Sequence, residues 1–134
     1  MSDGVRVRKV LFVLLISSSV TAVAADYRCT VERKVDFNNY EYTAAQLKKF
    51  KFSNLVEETE EGSFVSRCSF APSKGEVTCD RYKVDRVDVD PSVKIKKLYV
   101  FRSQFNLQIF PSLDFIEDNG RGSVSYGRCQ IIAP

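Results

Sequence analysis

Two of the four cysteines lie on a segment whose sequence predicts a hairpin and the register in which its two strands pair. Residues 72–75 read Pro-Ser-Lys-Gly, and these residue types favour a tight turn. A hairpin centred between Ser73 and Lys74 brings together two cysteines, two apolar residues and two opposite charges: Cys68 with Cys79, Phe70 with Val77, and Arg67 with Asp80. Directly opposed residues of an antiparallel pair can lie within disulfide reach, so this register predicts a Cys68–Cys79 bond.

The remaining cysteines, Cys29 and Cys129, would then join the first strand of the domain to the last. Such a closure favours a barrel, because a closed sheet has no exposed edges. We therefore expect a mostly β fold, a small antiparallel β-barrel of about seven or eight strands with one short helix, stapled by disulfides. A β-sandwich is the alternative architecture. Four thiolates converging on zinc is a weaker alternative, because the chain has no CxxC spacing and no histidine.

The first strand is indicated by strict alternation from Tyr27 to Phe37. The pattern assigns Val31 and Val35 to the inner face, with Arg33 as the one polar residue there, and it assigns Lys34 to the outer face. Thr43 and Gln46 then have the spacing of a capping box, which predicts a short helical turn from about Ala44 to Lys49.

Later segments carry less regular signals. The apolar parity changes between Tyr82 and Val87, which predicts a bulge or a strand break. From Ile95 to Ile109 the odd positions are apolar, so either one bent strand or a hairpin with its loop at residues 102–104 fits. We favour the bent strand, because the loop would lack Gly, Pro and Asn. Residues 118–122, Asp-Asn-Gly-Arg-Gly, strongly predict a hairpin turn.

The amino-terminal residues 1–25 have the composition of a secretory signal peptide. A basic segment is followed by an apolar run from Val10 to Ile16 and by small residues around Ala25. The run is shorter than the roughly 20 residues that span a bilayer, so we expect cleavage, with Asp26 as the preferred first residue, rather than a stable membrane anchor. The prediction is one mature β domain at residues 26–134, secreted or periplasmic, where paired cysteines oxidise.

The absence of histidine narrows the possible chemistry. It excludes histidine-assisted serine or cysteine catalysis and most zinc or copper sites. The remaining candidate carboxylates are Asp85, Asp88, Asp90, Glu117 and Asp118, which are equally typical of a solvated strand face and a turn. We expect no catalytic residues, no cofactor and no metal site.

Candidate binding residues fall into two groups. A loop on a β scaffold often carries recognition, and a basic, aromatic strand suits an anionic partner: Asn119, Gly120, Arg121 and Gly122 form the loop, and Lys94, Lys96, Lys97 and Tyr99 the strand. A lysine-rich edge strand that resists aggregation is the alternative reading of the second group. The net charge of +3 lies mostly in the predicted signal peptide, so the near-neutral domain gives no support to nucleic-acid binding.

The overall plan is similar to that of the small periplasmic lysozyme inhibitors of the C-type class, which are also exported, compact β-barrels with a terminal staple. Those families carry a Ser-Gly motif ahead of a Tyr on their inhibitory loop. Here Gly122-Ser123 before Tyr126 has the reverse order. The resemblance is therefore one of architecture, which does not carry function.

These observations favour a non-enzymatic binding or inhibitor-type protein that acts on a protein or glycan through exposed loops and the basic strand. A small-ligand carrier with a calycin-like barrel interior is the first alternative, and a cavity above about 300 Å³ lined by Phe and Tyr would favour it. A carboxylate-based hydrolase is the second, which two carboxylates about 5–10 Å apart in a cleft would favour.

Overall fold

The computed structural model describes residue 4, residues 12–14 and residues 25–133. Most of the predicted signal peptide therefore lies outside the described residues. The elements in chain order are β1 (Asp26–Asp36), α1 (Ala44–Phe50), β2 (Ser53–Thr59), β3 (Gly62–Ala71), β4 (Glu76–Lys83), β5 (Arg86–Val89), β6 (Lys96–Val100), β7 (Phe105–Ile109), β8 (Asp114–Asp118) and β9 (Ser123–Ala133). None of the helices in these ranges is long and apolar enough to cross a membrane.

All nine strands form one antiparallel sheet in the order β4-β3-β2-β1-β9-β8-β7-β6-β5, and the sheet curls into a half-barrel. The two edge strands β4 and β5 are joined by only Val84 and Asp85. The amide of Val84 donates to Ser63 in β3, and the amide of Asp85 donates to Tyr99 in β6. Consecutive residues thus bond to opposite ends of the sheet, so its two edges meet at this bend, where the sequence predicts a strand break.

Both predicted disulfides are present. Cys29 bonds to Cys129 and Cys68 bonds to Cys79, with Cα atoms 3.9 Å and 4.1 Å apart. The β3–β4 hairpin has the predicted register throughout. Strands β1 and β9 pair over almost their whole length, which confirms that the first strand lies beside the last.

The inner face of the sheet carries the core, in which the largest fully buried side chains include Phe115, Leu98 and Leu107. Polar groups lie on the same face on either side of this apolar layer. Lys96 forms an ion pair with Glu58 on one side, and Arg67 forms one with Glu117 on the other. The middle of the half-barrel is therefore filled by side chains.

Two sequence predictions about strands are wrong. Residues 95–109 do not form a bent strand but a hairpin, β6–β7, in which Val100 pairs with Phe105 across a four-residue loop. In β1, a bulge between Val31 and Arg33 leaves Glu32 without a partner in β9. Because one extra residue reverses the alternation, Arg33 points outward and Lys34 points inward, opposite to the predicted faces.

The helix is confirmed. The Thr43 side chain accepts from the Gln46 amide, and the Gln46 side chain accepts from the Thr43 amide. The helix ends at Phe50 and is capped by Lys51, which adopts the left-handed conformation. Leu47 of the helix packs against the core, and so does Phe52, which directly precedes β2.

Candidate functional site

The predicted recognition loop between β8 and β9 is held by its own side chains. The Asp118 carboxylate accepts from the Gly120 amide at 2.8 Å. The Asn119 side-chain oxygen accepts from the amides of Arg121 at 2.8 Å and Ser123 at 3.0 Å. Three internal hydrogen bonds therefore fix the loop conformation, and the Arg121 side chain extends from an ordered base.

This loop also contacts two neighbouring loops. Gly120 lies so close to the β6–β7 loop that a Cβ atom there would be 1.7 Å from the Gln104 carbonyl oxygen. Arg121 Nη2 donates to the Ser103 carbonyl at 3.5 Å. On the other side, the Phe37 amide donates to the Gly122 carbonyl at 2.7 Å. We call the three segments together, residues 37–39, 101–104 and 119–122, the loop rim.

The loop rim presents aromatic side chains to solvent. Phe37 is 76% exposed and Phe101 is 59% exposed, and Arg121 is exposed between their two loops. Large apolar side chains at this level of exposure gain little from folding, since most of their surface remains hydrated. The loop rim thus combines two aromatic rings with the exposed guanidinium groups of Arg102 and Arg121 on a pre-ordered surface.

The predicted basic strand does not form a single face. Lys96 lies on the inner face, where it pairs with Glu58 and lies 5.3 Å from the centre of the Tyr27 ring. Lys97 lies on the outer face opposite Asp88. Lys94 belongs to the turn before β6, with a positive φ of 58°. Neighbouring residues of a strand point to opposite faces, and the inner face of β6 carries the even-numbered residues Lys96, Leu98 and Val100.

Glu117, a candidate carboxylate from the sequence, lies inside the half-barrel and is 5% exposed. Asn54 Nδ2 donates to its Oε2 at 2.8 Å, and Arg67 Nε lies 2.6 Å from its Oε1. The guanidinium of Arg67 also lies 4.8 Å from the centre of the Phe105 ring. Asn54 of β2 therefore hydrogen-bonds one carboxylate oxygen of Glu117, while Arg67 of β3 forms an ion pair with the other, Oε1, without an aligned hydrogen bond.

The bulge in β1 adds Lys34 to the same region. Its ammonium lies 4.4 Å from the centre of the Phe52 ring, and no carboxylate among the described residues lies within ion-pair distance of it. Burial lowers the pKa of Lys34 first of all, and the positive charge of Arg67 lowers it further, while Glu117 acts in the opposite direction. Lys34 is thus a partly desolvated cation.

These side chains line a cavity of about 210 Å³, which we call the Glu117 pocket. Its principal polar members are Lys34, Asn54, Arg67, Asp80, Glu117 and Ser125, and the rings of Phe52 and Tyr82 complete it. Asn54 is 1% exposed, and its side-chain oxygen has no hydrogen-bond partner among the described residues.

Sequence reasoning assigned no functional role to Lys34, Asn54 or Arg67, and it placed Arg67 opposite Asp80, whereas the ion pair of Arg67 is with Glu117. A signal for Asn54 exists, because it occupies the inner parity between Phe52 and Val56. A polar residue on an apolar face is the informative exception in such a pattern. No comparable signal marks Lys34, whose orientation depends on the bulge.

The other candidate carboxylates have local structural partners. Asp85 accepts from the Phe101 amide at 2.7 Å, and Asp88 pairs with Arg86 at 2.9 Å. Asp90 accepts from the amides of Ser92 and Val93, which lowers its pKa. These contacts position turns and strand edges.

Comparisons with protein-family models, curated proteins and solved structures found no match.

Proposed function

We propose that this protein is an exported, non-enzymatic binding protein of the inhibitor type that engages a protein partner through the loop rim. The main observation in support is that Phe37 and Phe101 are exposed on loops that already contact the β8–β9 loop, which carries Arg121. Aromatic and arginine side chains contribute most of the energy of many protein interfaces. A pre-ordered loop loses little further conformational entropy when it binds.

Export is part of the proposal. Two disulfides agree with an oxidising environment, such as the periplasm or the extracellular space. Cleavage of residues 1–25 would leave Asp26, the first residue of β1, at the amino terminus. Amino-terminal sequencing of protein purified from its native compartment should therefore begin at Asp26 or one residue earlier. An intact leader in that material would contradict the proposed route.

The geometry favours the loop rim over the two alternatives. The Glu117 pocket is smaller than the roughly 300–1,000 Å³ of sites for drug-sized ligands, and polar groups dominate its lining. Glu117 is already engaged by Arg67 and Asn54, whereas a carboxylate hydrolase needs one carboxyl group free to protonate its substrate. A macromolecular partner on the outer loops requires neither a hollow barrel nor a free acid.

Site-specific photocrosslinking tests the proposal directly. A photoreactive side chain at position 101 should crosslink to a partner in extracts of the native envelope or medium. The same group at position 93 is a matched control, since Val93 is 55% exposed in the turn at the opposite end of β6. Equal crosslinking from both positions, or crosslinking from position 93 alone, would remove the loop rim from the interface.

Substitution of the loop arginine provides the quantitative test. Once the partner is identified, Arg121→Ala should weaken binding by about tenfold or more, as expected for an interface arginine that contributes above about 1.4 kcal/mol. Arg28→Ala is the control, because Arg28 is an exposed arginine on β1, outside the loop rim. Unchanged affinity of the Arg121 variant, measured by calorimetry, would contradict the proposed role of the loop.

A further inference from the structure

We propose that the Glu117 pocket binds a small sugar acid, a hydroxylated ring that carries one carboxylate. This site is separate from the loop rim and does not depend on the proposed protein partner. Three features of the pocket define the ligand: a partly desolvated cation without an ion-pair partner among the described residues, a buried acceptor without a donor, and two aromatic walls.

The cation selects the acidic group. Arg67 is the ion-pair partner of Glu117 at 2.6 Å, and among the described residues no carboxylate forms an ion pair with Lys34, although Glu117 stabilises its charge from a greater distance. Asp80 is the other charged residue that lines the pocket, and it is exposed, so solvent screens it more strongly. A partly desolvated ammonium is costly unless it is paired, and a ligand carboxylate would pair it.

The unpaired side-chain oxygen of Asn54 indicates that the ligand carries hydroxyl groups. The Asn54 side-chain oxygen is buried and lacks a donor among the described residues, and such a group costs about 1–3 kcal/mol when it stays unsatisfied. Its amide nitrogen is committed to Glu117, which fixes the oxygen as the free atom. A ligand must therefore bring an O–H or N–H donor as well as an anion.

The aromatic lining and the volume of the cavity indicate that the ligand is a single sugar ring. The side chains of Phe52 and Tyr82 line the cavity, and aromatic rings pack well against the C–H groups of a sugar ring. At about 210 Å³ the cavity suits one monosaccharide rather than a lipid or an oligosaccharide. The occupant is either a free sugar acid or the terminal acidic residue of a glycan.

Titration of the disulfide-bonded protein with D-glucuronate, D-glucose and acetate separates these requirements. Glucuronate should bind about tenfold more tightly than either of the others, because only it supplies both the anion and the donors. Two-dimensional NMR should show the side-chain amide of Asn54 shifting with saturation. Methyl β-D-glucuronide, whose blocked anomeric oxygen mimics a glycan terminus, should bind as tightly as glucuronate if the source is a glycan and more weakly if it is the free acid.

Lys34→Met should weaken glucuronate binding by about tenfold, as expected when a charge-assisted hydrogen bond is lost. Lys97→Met is the matched control on the outer face and should bind normally. The proposal is overturned if glucose or acetate binds as well as glucuronate, if Lys34→Met binds normally, or if no saturable shift occurs at Asn54. Chemical shifts elsewhere in the sheet show whether each variant is folded. The comparison of glucuronate with glucose and acetate uses only the wild-type protein, so it does not depend on the folding of any variant.

Discussion

The partly buried charge of Lys34 lowers the free energy of unfolding of the folded protein. Burial lowers its pKa in the folded state, so between that pKa and the ordinary value of 10.5 the unfolded chain binds more protons than the folded one. Stability should therefore rise as pH increases through this interval. We expect Lys34→Met to raise the free energy of unfolding at neutral pH and to remove the rise, as measured by urea denaturation at several pH values.

The control for this prediction is Lys97→Met, which removes a lysine from the outer face of β6. Ionisation of tyrosines and disulfide exchange at high pH affect both variants equally, so the difference between their pH profiles isolates Lys34. Parallel profiles for the two variants would show that Lys34 is solvated in the folded protein.

At the residue scale the sequence predicted the paired cysteines well and the polar interior poorly. Cys68 and Cys79 are confirmed because one hairpin register joined three complementary pairs at once. Lys34 was assigned to the wrong face because alternation carries no sign of an extra residue at Glu32. The partners Arg67 and Glu117 are 50 positions apart in sequence, so only the folded sheet brings their charges together.

At the element scale the hairpins differ in how clearly their turns are encoded. The β3–β4 and β8–β9 turns contain Gly with positive φ and were predicted. The β6–β7 turn was considered only as the alternative to a bent strand, because the residue that takes the left-handed conformation there is Gln104, with φ of 61°. A non-glycine residue in this conformation gives no turn signal in the sequence.

The contact between the β8–β9 and β6–β7 loops yields a prediction with a closely matched control. Gly120 and Gly75 have nearly the same φ, 71° and 66°, but a Cβ atom meets the Gln104 carbonyl at position 120 and meets nothing within 4 Å at position 75. Both alanine variants carry left-handed strain of about 1 kcal/mol. Gly120→Ala should cost more, by about 1–3 kcal/mol, because its loop must also move.

Equilibrium denaturation of both variants measures this difference, and NMR shifts at residues 101–104 report the loop movement. If the loop rim is the binding surface, Gly120→Ala should also weaken partner binding, whereas Gly75→Ala should not. Equal stabilities for the two variants would mean that the two loops are not packed against each other in solution.

At the scale of the whole molecule, the two edges of the sheet meet at the bend of Val84 and Asp85, where one residue bonds to β3 and the next bonds to β6. The Cys29–Cys129 bond, which the sequence predicted, instead crosslinks β1 and β9 in the middle of the sheet, where the two strands are already hydrogen-bonded neighbours. The parity change marked the bend as a break, but its joining of opposite sheet edges depends on the order of all nine strands.

The two disulfides should therefore contribute unequally to the stability of the whole domain. The Cys29–Cys129 bond spans 100 residues and its sulfurs lie in the core, whereas Cys68–Cys79 spans 11 residues and Cys79 is exposed. On the chain-entropy relation, the longer closure is worth about 5 kcal/mol and the shorter about 3 kcal/mol. The double variant C29A/C129A should thus lose more stability in urea than C68A/C79A, in which the β2–β3 and β3–β4 pairings remain.

Mild thiol treatment should reduce the exposed Cys68–Cys79 bond first, with mass spectrometry identifying the alkylated pair. Equal losses for the two variants, or earlier reduction of Cys29–Cys129, would mean that the contact between β1 and β9 opens in the native state.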